Sequence, residues 1–398
     1  MSNFPLRDFL TGAAALAAAA TASMANARTA EAGDPSFQNN VPDELLSGKE
    51  LPTFKFALGK SKGKVIGKSY GKEATVEQLP ISKGIAGVSM QLEPGAMREL
   101  HWHATAAEWA FVIEGRVRTT VMDPQGSAET NDFGPWDVWY FPRGHAHMLE
   151  CLGDKPTHFI LIFDNGYFSE FGTFSITDWL GHTPKALLAK NFGLPESTFE
   201  GFPKDEVYFA RGAVPPPEQS IPLQGRILPP VTHKFELLEQ APHALYKGGR
   251  EWRVDSTRFP ISKTVTGVIL DLEPGALREL HWHTNADEWQ YVIAGNVSMT
   301  MFGSHGRYRT ETLEAGDVGY FPRVTVTRSR TSATSRAASS SDSTAGSTRL
   351  STCRSGSPGT RPTSWPPTSA SRRPCSRNSR TRTCSSRRRM GPEARTPD

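Results

Sequence analysis

The chain has 398 residues, of which 37% are hydrophobic and 10% aromatic, enough for one large or two ordinary globular cores. Its net charge of +4 comes from one end: Val324 to Asp398 holds 15 of the 45 Lys and Arg residues but only 3 of the 41 Asp and Glu, so residues 1–323 carry 30 basic against 38 acidic groups, a net of −8, and give no ground for a nucleic-acid partner. Three of the four cysteines (Cys353, Cys375, Cys384) lie in that same end, which leaves Cys151 alone and excludes a disulfide framework or a cysteine-based zinc site in the body of the chain.

Residues 1–27 read as an export signal: Arg7 in a polar start, an Ala-rich run from Phe9 to Ala22, and Ala25-Asn-Ala27 as a small-x-small cleavage site. The run is too short and too weakly apolar for a membrane span, so the mature protein is expected to be secreted or periplasmic, away from the membrane. Arg7-Asp8-Phe9-Leu10 matches the second half of a twin-arginine signal, with Leu6 breaking the pair. Residues 28–50 are polar and read as linker.

From 51 to 225 the pattern is that of a first domain made of short alternating segments broken by Gly, Pro and Asp. Trp109, Phe111 and Ile113 alternate with Ala110 and Val112, and Val117–Met122, Val138–Phe141 and His158–Phe163 are each of strand length. This spacing predicts an all-β antiparallel domain. One short helix is predicted, with Thr183 as N-cap, Pro184 at the first helical position and Gly193 as the stop. A Pro-rich linker follows at Val214–Pro222.

A second domain repeats the first at an offset of 180 residues. Leu92–His103 recurs almost letter for letter at Leu272–His283, and Gly87, Gly95, Glu108, Gly115, Asp137 and Pro142 map onto Gly267, Gly275, Glu288, Gly295, Asp317 and Pro322. In a strand, side chains alternate faces, so His101 and His103 point the same way, Trp102 points the other, and one metal ion can bridge the two imidazoles.

The first copy reads Gly95-x5-His101-x-His103-x4-Glu108-x6-Gly115, then Pro142-x-Gly144-x2-His147. This resembles the two motifs of the cupin superfamily. The resemblance implies two tandem double-stranded β-helix (jelly-roll) barrels, the first of which brings His101, His103, Glu108 and His147 onto one metal. Three imidazoles and a carboxylate leave two positions open on an octahedral ion, room for a bidentate small acid or for water and O2.

Over residues 40–323 the chain looks like the bicupin oxalate decarboxylases, through Arg-Glu-Leu-His-Trp-His in both domains and Phe163-Asp-Asn-Gly-Tyr-Phe-Ser-Glu-Phe-Gly-Thr-Phe174. That family converts oxalate to formate and CO2 with manganese and catalytic O2. By resemblance Arg98 polarises oxalate, Glu170 donates the proton, Ser169, Glu170, Phe171 and Gly172 form a mobile lid, Thr173 helps hold it closed, and the subunits assemble as trimers or hexamers. The residue types suit the chemistry: a small dianion needs a fixed planar cation, and the product needs a proton delivered away from water. Rival readings are an oxalate oxidase and a non-catalytic metal-binding or storage bicupin. Without the resemblance, Glu170 is a loop acid that could equally be solvated. The lid departs from the family pattern in carrying Phe171 and Gly172 where polar residues are usual, and Trp136 stands where a Gly usually precedes the Asp.

The second domain supplies His281, His283 and Glu288, with Arg278 as the counterpart of Arg98, but Val324 and Thr327 stand where the offset calls for Gly and His. Its metal set is therefore incomplete, and manganese is expected in the first domain. After Arg323 the chain is rich in Ser, Thr, Arg and Pro without apolar periodicity, so residues 226–323 read as a truncated barrel with uncovered edges and 324–398 as a disordered tail. A change of reading frame accounts for this better than a genuine flexible tail: a one-base shift over Arg323–Arg336 permits Gly-Tyr-Gly-His-Ser-Leu-Ala-Asn-Val-Gly-Asp-Glu-Pro, which aligns with Gly144–Pro156 and restores the missing His.

Overall fold

The computed structural model describes residues 51–215, 229–304, 306–323, 325–331 and 348–355. The expected export signal (1–27), the linker (28–50), most of the Pro-rich linker and the chain beyond 355 lie outside the described residues. Among the described residues four antiparallel sheets make two barrels, as the all-β jelly-roll expectation requires.

In the first barrel a seven-stranded sheet runs Lys234–Glu236, Asp137–Phe141, Glu108–Glu114, Thr157–Phe163, Ala86–Leu92, Ser69–Ala74, Lys64–Ile66. It faces a sheet in the order Phe174–Ser175, Ala96–Trp102, Ala146–Leu152, Arg116–Met122, Ala128–Phe133, with Phe209–Arg211 also paired to Ala96–Trp102. Glu108–Glu114 shows why the sheet reads as nearly continuous apolar sequence. Ala110 and Val112 pack into the barrel, while Trp109 and Phe111 pack into a separate core shared with the second domain. Strands buried on both faces lose the polar half of the alternation. Glu108 keeps the phase of Ala110 and Val112, which turns its carboxylate toward the barrel interior.

The two barrels exchange their edges. Lys55–Phe56, at the start of the first domain, pairs with Val318–Phe321 of the second, and Lys234–Glu236, at the start of the second, pairs with Asp137–Phe141 of the first. Between them sits a core built on the duplication: a Cβ on Gly87 would lie 2.3 Å from the Trp289 ring, and one on Gly267 would lie 2.2 Å from the Trp109 ring. Each indole thus occupies the space left by the other domain's glycine, and the 180-residue offset relates the two pairs.

The structure corrects the reading of the chain beyond Arg323. Val326–Thr331 is a strand paired to Leu277–His281 and Asn296–Phe302, and Thr348–Ser355 is a strand seated between Val265–Leu272 and Asp287–Ala294. The second barrel therefore extends past 323, and the backbone groups expected to form open edges are paired. Apolar periodicity missed the first of these strands because its inward row is Thr327, Ser329 and Thr331, where the first barrel has His147, Leu149 and Cys151. The alternation of buried hydroxyls with Arg328 and Arg330 is still a period of two, carried by β-branched Val and Thr.

The helical segment also differs from expectation. Two helices form instead of one: α1, Ile176–His182, capped by the Ser175 side chain, and α2, Lys185–Phe192. Thr183 closes α1 and Pro184 is the N-cap of α2, while Gly193 ends α2 in the left-handed conformation as predicted. Trp136 takes a φ of 75° at the turn where its counterpart Gly316 has 89°, so the first domain holds a bulky residue in a glycine conformation, packed on Phe111 at 5.2 Å.

Gly87→Ala should cost about 1–3 kcal/mol through overpacking against Trp289; a denaturant or thermal midpoint equal to that of the wild type would contradict this packing. A second expectation concerns acid. Burial penalises the charge of Glu129, but His233, through Nδ1 and its backbone N–H, both at 2.8 Å, and the Thr232 hydroxyl at 2.6 Å hold its carboxyl down to about 2. A depressed carboxyl stabilises the fold above its unfolded value and loses that contribution as pH falls from 4.5 toward 2. Glu129→Gln should lower the thermal midpoint at neutral pH and flatten its decline over that acid range.

Candidate metal centre and its cover

The centre begins with strand register. Ala96–Trp102 pairs with Ala146–Leu152 so that His101 lies opposite His147. Between that pair and the next, Arg98 opposite Leu149, three steps on one strand match two on the other. This bulge resets the alternation and turns Arg98 and His101 to the same interior, which strict period-two reasoning would place on opposite faces. His103 follows on the exit from the strand, where its carbonyl accepts from Gly144 N–H at 2.8 Å and ties the two motifs together. Glu108 arrives from the opposing sheet.

His101, His103, Glu108 and His147 are all buried, with one potential ligand atom from each lying within 4.8 Å of the others. Their orientation is enforced from behind. His101 Nδ1 lies 2.6 Å from the Glu99 carbonyl and His147 Nδ1 2.9 Å from the His145 carbonyl; a carbonyl can only accept, so both rings carry their proton on Nδ1 and present a bare Nε2 inward. Glu108 Oε1 accepts from the Trp139 indole at 2.7 Å, leaving Oε2 facing inward, 3.4 Å from His147 Nε2. The inward atoms, Nε2 of the three imidazoles and Glu108 Oε2, are buried without a hydrogen-bond partner. A divalent cation would satisfy all four at once, so the donor set fits a metal ion. Burial and the neighbouring charge of Arg98 push the His101 imidazole well below its usual range, which keeps it a neutral ligand.

Over this cluster lie Arg98 and Glu170. Arg98 is fully buried; its Nε donates to Glu170 Oε1 at 2.8 Å, its Nη2 to Thr173 Oγ1 at 2.8 Å and its Nη1 to the Tyr208 carbonyl at 3.4 Å. The Tyr208 ring supports the guanidinium from 4.1 Å, and Tyr208 itself holds a φ of 60°, fixed by donation from its N–H to Glu99 Oε1 at 2.7 Å. Glu170 opens a short 3₁₀ turn, Glu170–Gly172, capped by Ser169. The Glu170 carboxylate is buried and lies 3.2 Å from His103 Nε2 without hydrogen-bond alignment, so the solvated alternative does not hold. Although burial disfavours its charge, the Arg98 guanidinium beside it holds its carboxyl down to about 2. Phe171 packs toward Tyr208 at 6.0 Å, and Gly172 is exposed.

Trp139, Glu99 and Glu73 escaped the sequence reading. Trp139 has a weak signal, an indole two residues before Phe141 and in phase with it, on a strand whose other sheet neighbours line the barrel. Trp102 does face away from the metal, stacking on Phe174 at 5.3 Å and meeting Trp179 at 5.8 Å.

In the second domain His281, His283 and Glu288 converge in the same way, and Thr327 occupies the register position of His147, opposite His281. Its hydroxyl is 3.5 Å from His281 Nε2. Gln290 replaces the indole as donor to Glu288 Oε1, at 2.8 Å. The histidine side chains here are 17% and 16% exposed, against 1% and 3% for His101 and His103, so water competes for this set. Arg278 is only half-buried.

A family model described as "Cupin" matches residues 61–199 and 235–349. The oxalate decarboxylase OxdC of Bacillus subtilis is 42% identical over 283 residues, covering 71% of this chain and 72% of that protein. The chain is a cupin of the oxalate decarboxylase family. A probable oxalate decarboxylase of Arthroderma benhamiae is 36% identical over 68% of this chain and 67% of its own length. Among solved structures, one from work on the Mn(II) centres of the Bacillus subtilis decarboxylase superposes with a TM-score of 0.71 at 37% identity, covering 78% of this chain and 79% of that one. The cupin match reaches residue 349, past the boundary at 323 that composition suggested.

Metal analysis of the intact chain should return one tightly held divalent ion, and Thr327→His should raise the content toward two. A wild-type content of two with equal affinities would contradict the inequality of the sites. Conversely, His147→Thr should weaken binding in the first site by more than the roughly 10–100-fold typical of losing an outer-shell partner.

Proposed function

We propose that this protein decarboxylates oxalate to formate and CO2, with manganese held by His101, His103, Glu108 and His147. The observation that carries the reading is the buried Arg98–Glu170 pair above a complete ligand set: a fixed planar cation and a carboxyl able to carry a proton converge on the four ligands. The names of its relatives supply the substrate, and the Mn(II) centres of the Bacillus subtilis enzyme supply the metal.

Manganese, when bound, supplies the one-electron exchange that weakens the C–C bond of oxalate. The chain's own residues do the rest. Arg98 binds a substrate carboxylate through its planar donors, at the point where it now holds Glu170. As Arg98 turns to the substrate, Glu170 loses its main counter-charge while staying buried, so its affinity for a proton rises. The proton brought by hydrogen oxalate can then pass through Glu170 to the carbon that becomes formate, and CO2 leaves without net oxidation. The turn Ser169–Gly172 covers the ligand cluster, keeping water from competing for that proton. Thr173 holds Arg98 from the other side. The second cluster, partly exposed and lacking its fourth ligand, takes no part in this reaction.

Manganese-loaded protein should release formate from oxalate, and Glu170→Ala should suppress formate by about 10²–10⁴-fold, the usual worth of a positioned acid–base group, while oxidation products persist. Peroxide with two CO2 from the wild type would instead make it an oxidase. Bound metal with no turnover would make it a storage or binding cupin.

A further inference from the structure

We propose that Glu73 is the anchor that holds the cover closed over the metal centre. Its consequence for products rests on the decarboxylase reading; its effect on the cover does not.

Glu73 lies on Ser69–Ala74, whose inward row is Ser69, Gly71 and Glu73. That row runs directly beneath the turn. Gly71 leaves room for Phe171 and Tyr208: a Cβ there would stand 3.5 Å from Phe171 Cε1 and 2.6 Å from the Tyr208 hydroxyl. Two residues on, the Glu73 carboxylate accepts from Ser169 Oγ at 2.8 and 3.1 Å and from the Glu170 backbone N–H at 3.2 Å. Ser169 Oγ in turn accepts from Phe171 N–H at 3.2 Å, and the Ser169 carbonyl accepts from Gly172 N–H at 3.1 Å. The first turn of the cover is thereby locked onto one carboxylate.

The carboxylate is buried, and among the described residues no Lys, Arg or His forms an ion pair with it. Its hydrogen-bond donors all belong to the cover. Burial pushes its carboxyl above the usual range, while the Ser169 hydroxyl and the Glu170 amide pull the other way. A buried charge with no counter-ion is tolerable only while those donors are in place. The closed cover and the ionised Glu73 therefore stabilise one another, and a lifted cover returns the carboxylate to water. Arg98 holds the far end, through Glu170 and Thr173, but Arg98 is also the group that must turn to the substrate. During that exchange Glu73 is the holder that stays, keeping the Glu170 backbone where its side chain reaches the ligand cluster. Glu73 touches neither substrate nor metal in this account, so it is a positioning residue.

The test uses the metal-loaded full chain. Hydrogen exchange at the Glu170, Phe171 and Gly172 amides should rise by about tenfold in Glu73→Ala, and the ratio of formate to oxidation products should fall by about tenfold, as the cover spends more time open. Glu73→Gln keeps the volume and one acceptor, so it should fall between wild type and alanine; it also serves if the alanine variant does not fold. Ser169→Ala should reproduce the loss, and the double variant Glu73→Ala/Ser169→Ala should be no worse than either alone. A purely structural role for Glu73 would lower the thermal midpoint and total turnover while leaving the exchange at these three amides and the product ratio unchanged, and that result would overturn the proposal. A wild-type protein that makes no formate, yet whose cover exchanges faster in Glu73→Ala, would keep the anchor and overturn the decarboxylase reading alone.

Discussion

Four ligand atoms that converge in a dry barrel, each turned inward and none hydrogen-bonded, are the constraint around which the rest of this structure is arranged. Left alone they would cost about 1–3 kcal/mol each as unsatisfied buried groups. The fold commits backbone carbonyls of Glu99 and His145 and the indole of Trp139 to keep them pointing that way. A site this costly without a cation is a site built for one. The same bulge that pairs His101 with His147 also brings Arg98 inward, so metal binding and anion binding derive from one irregularity in one strand.

Duplication explains the frame and divergence explains the function. The barrels are joined by reciprocal Trp and Gly pairs and by exchanged edge strands, features that need both copies. Nothing in that frame requires both clusters to be active. In the second copy a threonine stands at the fourth-ligand position, the histidines meet solvent, and Arg278 is half-buried. The first copy alone combines complete ligands, a buried arginine and a covering turn.

Much of this was legible in the amino-acid order, for physical reasons that also mark where legibility ended. His101, His103, Glu108 and His147 could be read because motif spacing survives in sequence. That Arg98 shares their interior could not be read from alternation, since it enters through a bulge that no alternation rule foresees. Glu170 was ambiguous as a loop acid; its burial depends on Arg98 and on Glu73, which lie far from it in the chain. The chain beyond Arg323 misled because composition was read in place of periodicity. Thr327, Ser329 and Thr331 form an inward row without a single apolar side chain, and Thr348–Ser355 takes its place through backbone pairing with two neighbouring strands. The helices failed in detail for a local reason: Ser175 caps a turn that the Pro184 signal, nine residues later, had overshadowed.

The central claim is that the working metal sits in the first barrel on three imidazoles and one carboxylate. Counting the imidazole nitrogens coupled to bound Mn²⁺, by electron–nuclear double resonance on protein loaded with one equivalent, tests it directly. The account predicts one class of ion coupled to three such nitrogens, lost in His147→Thr and untouched by His281→Ala. A dominant class coupled to two, and sensitive to His281→Ala, would place the metal in the second barrel and contradict it.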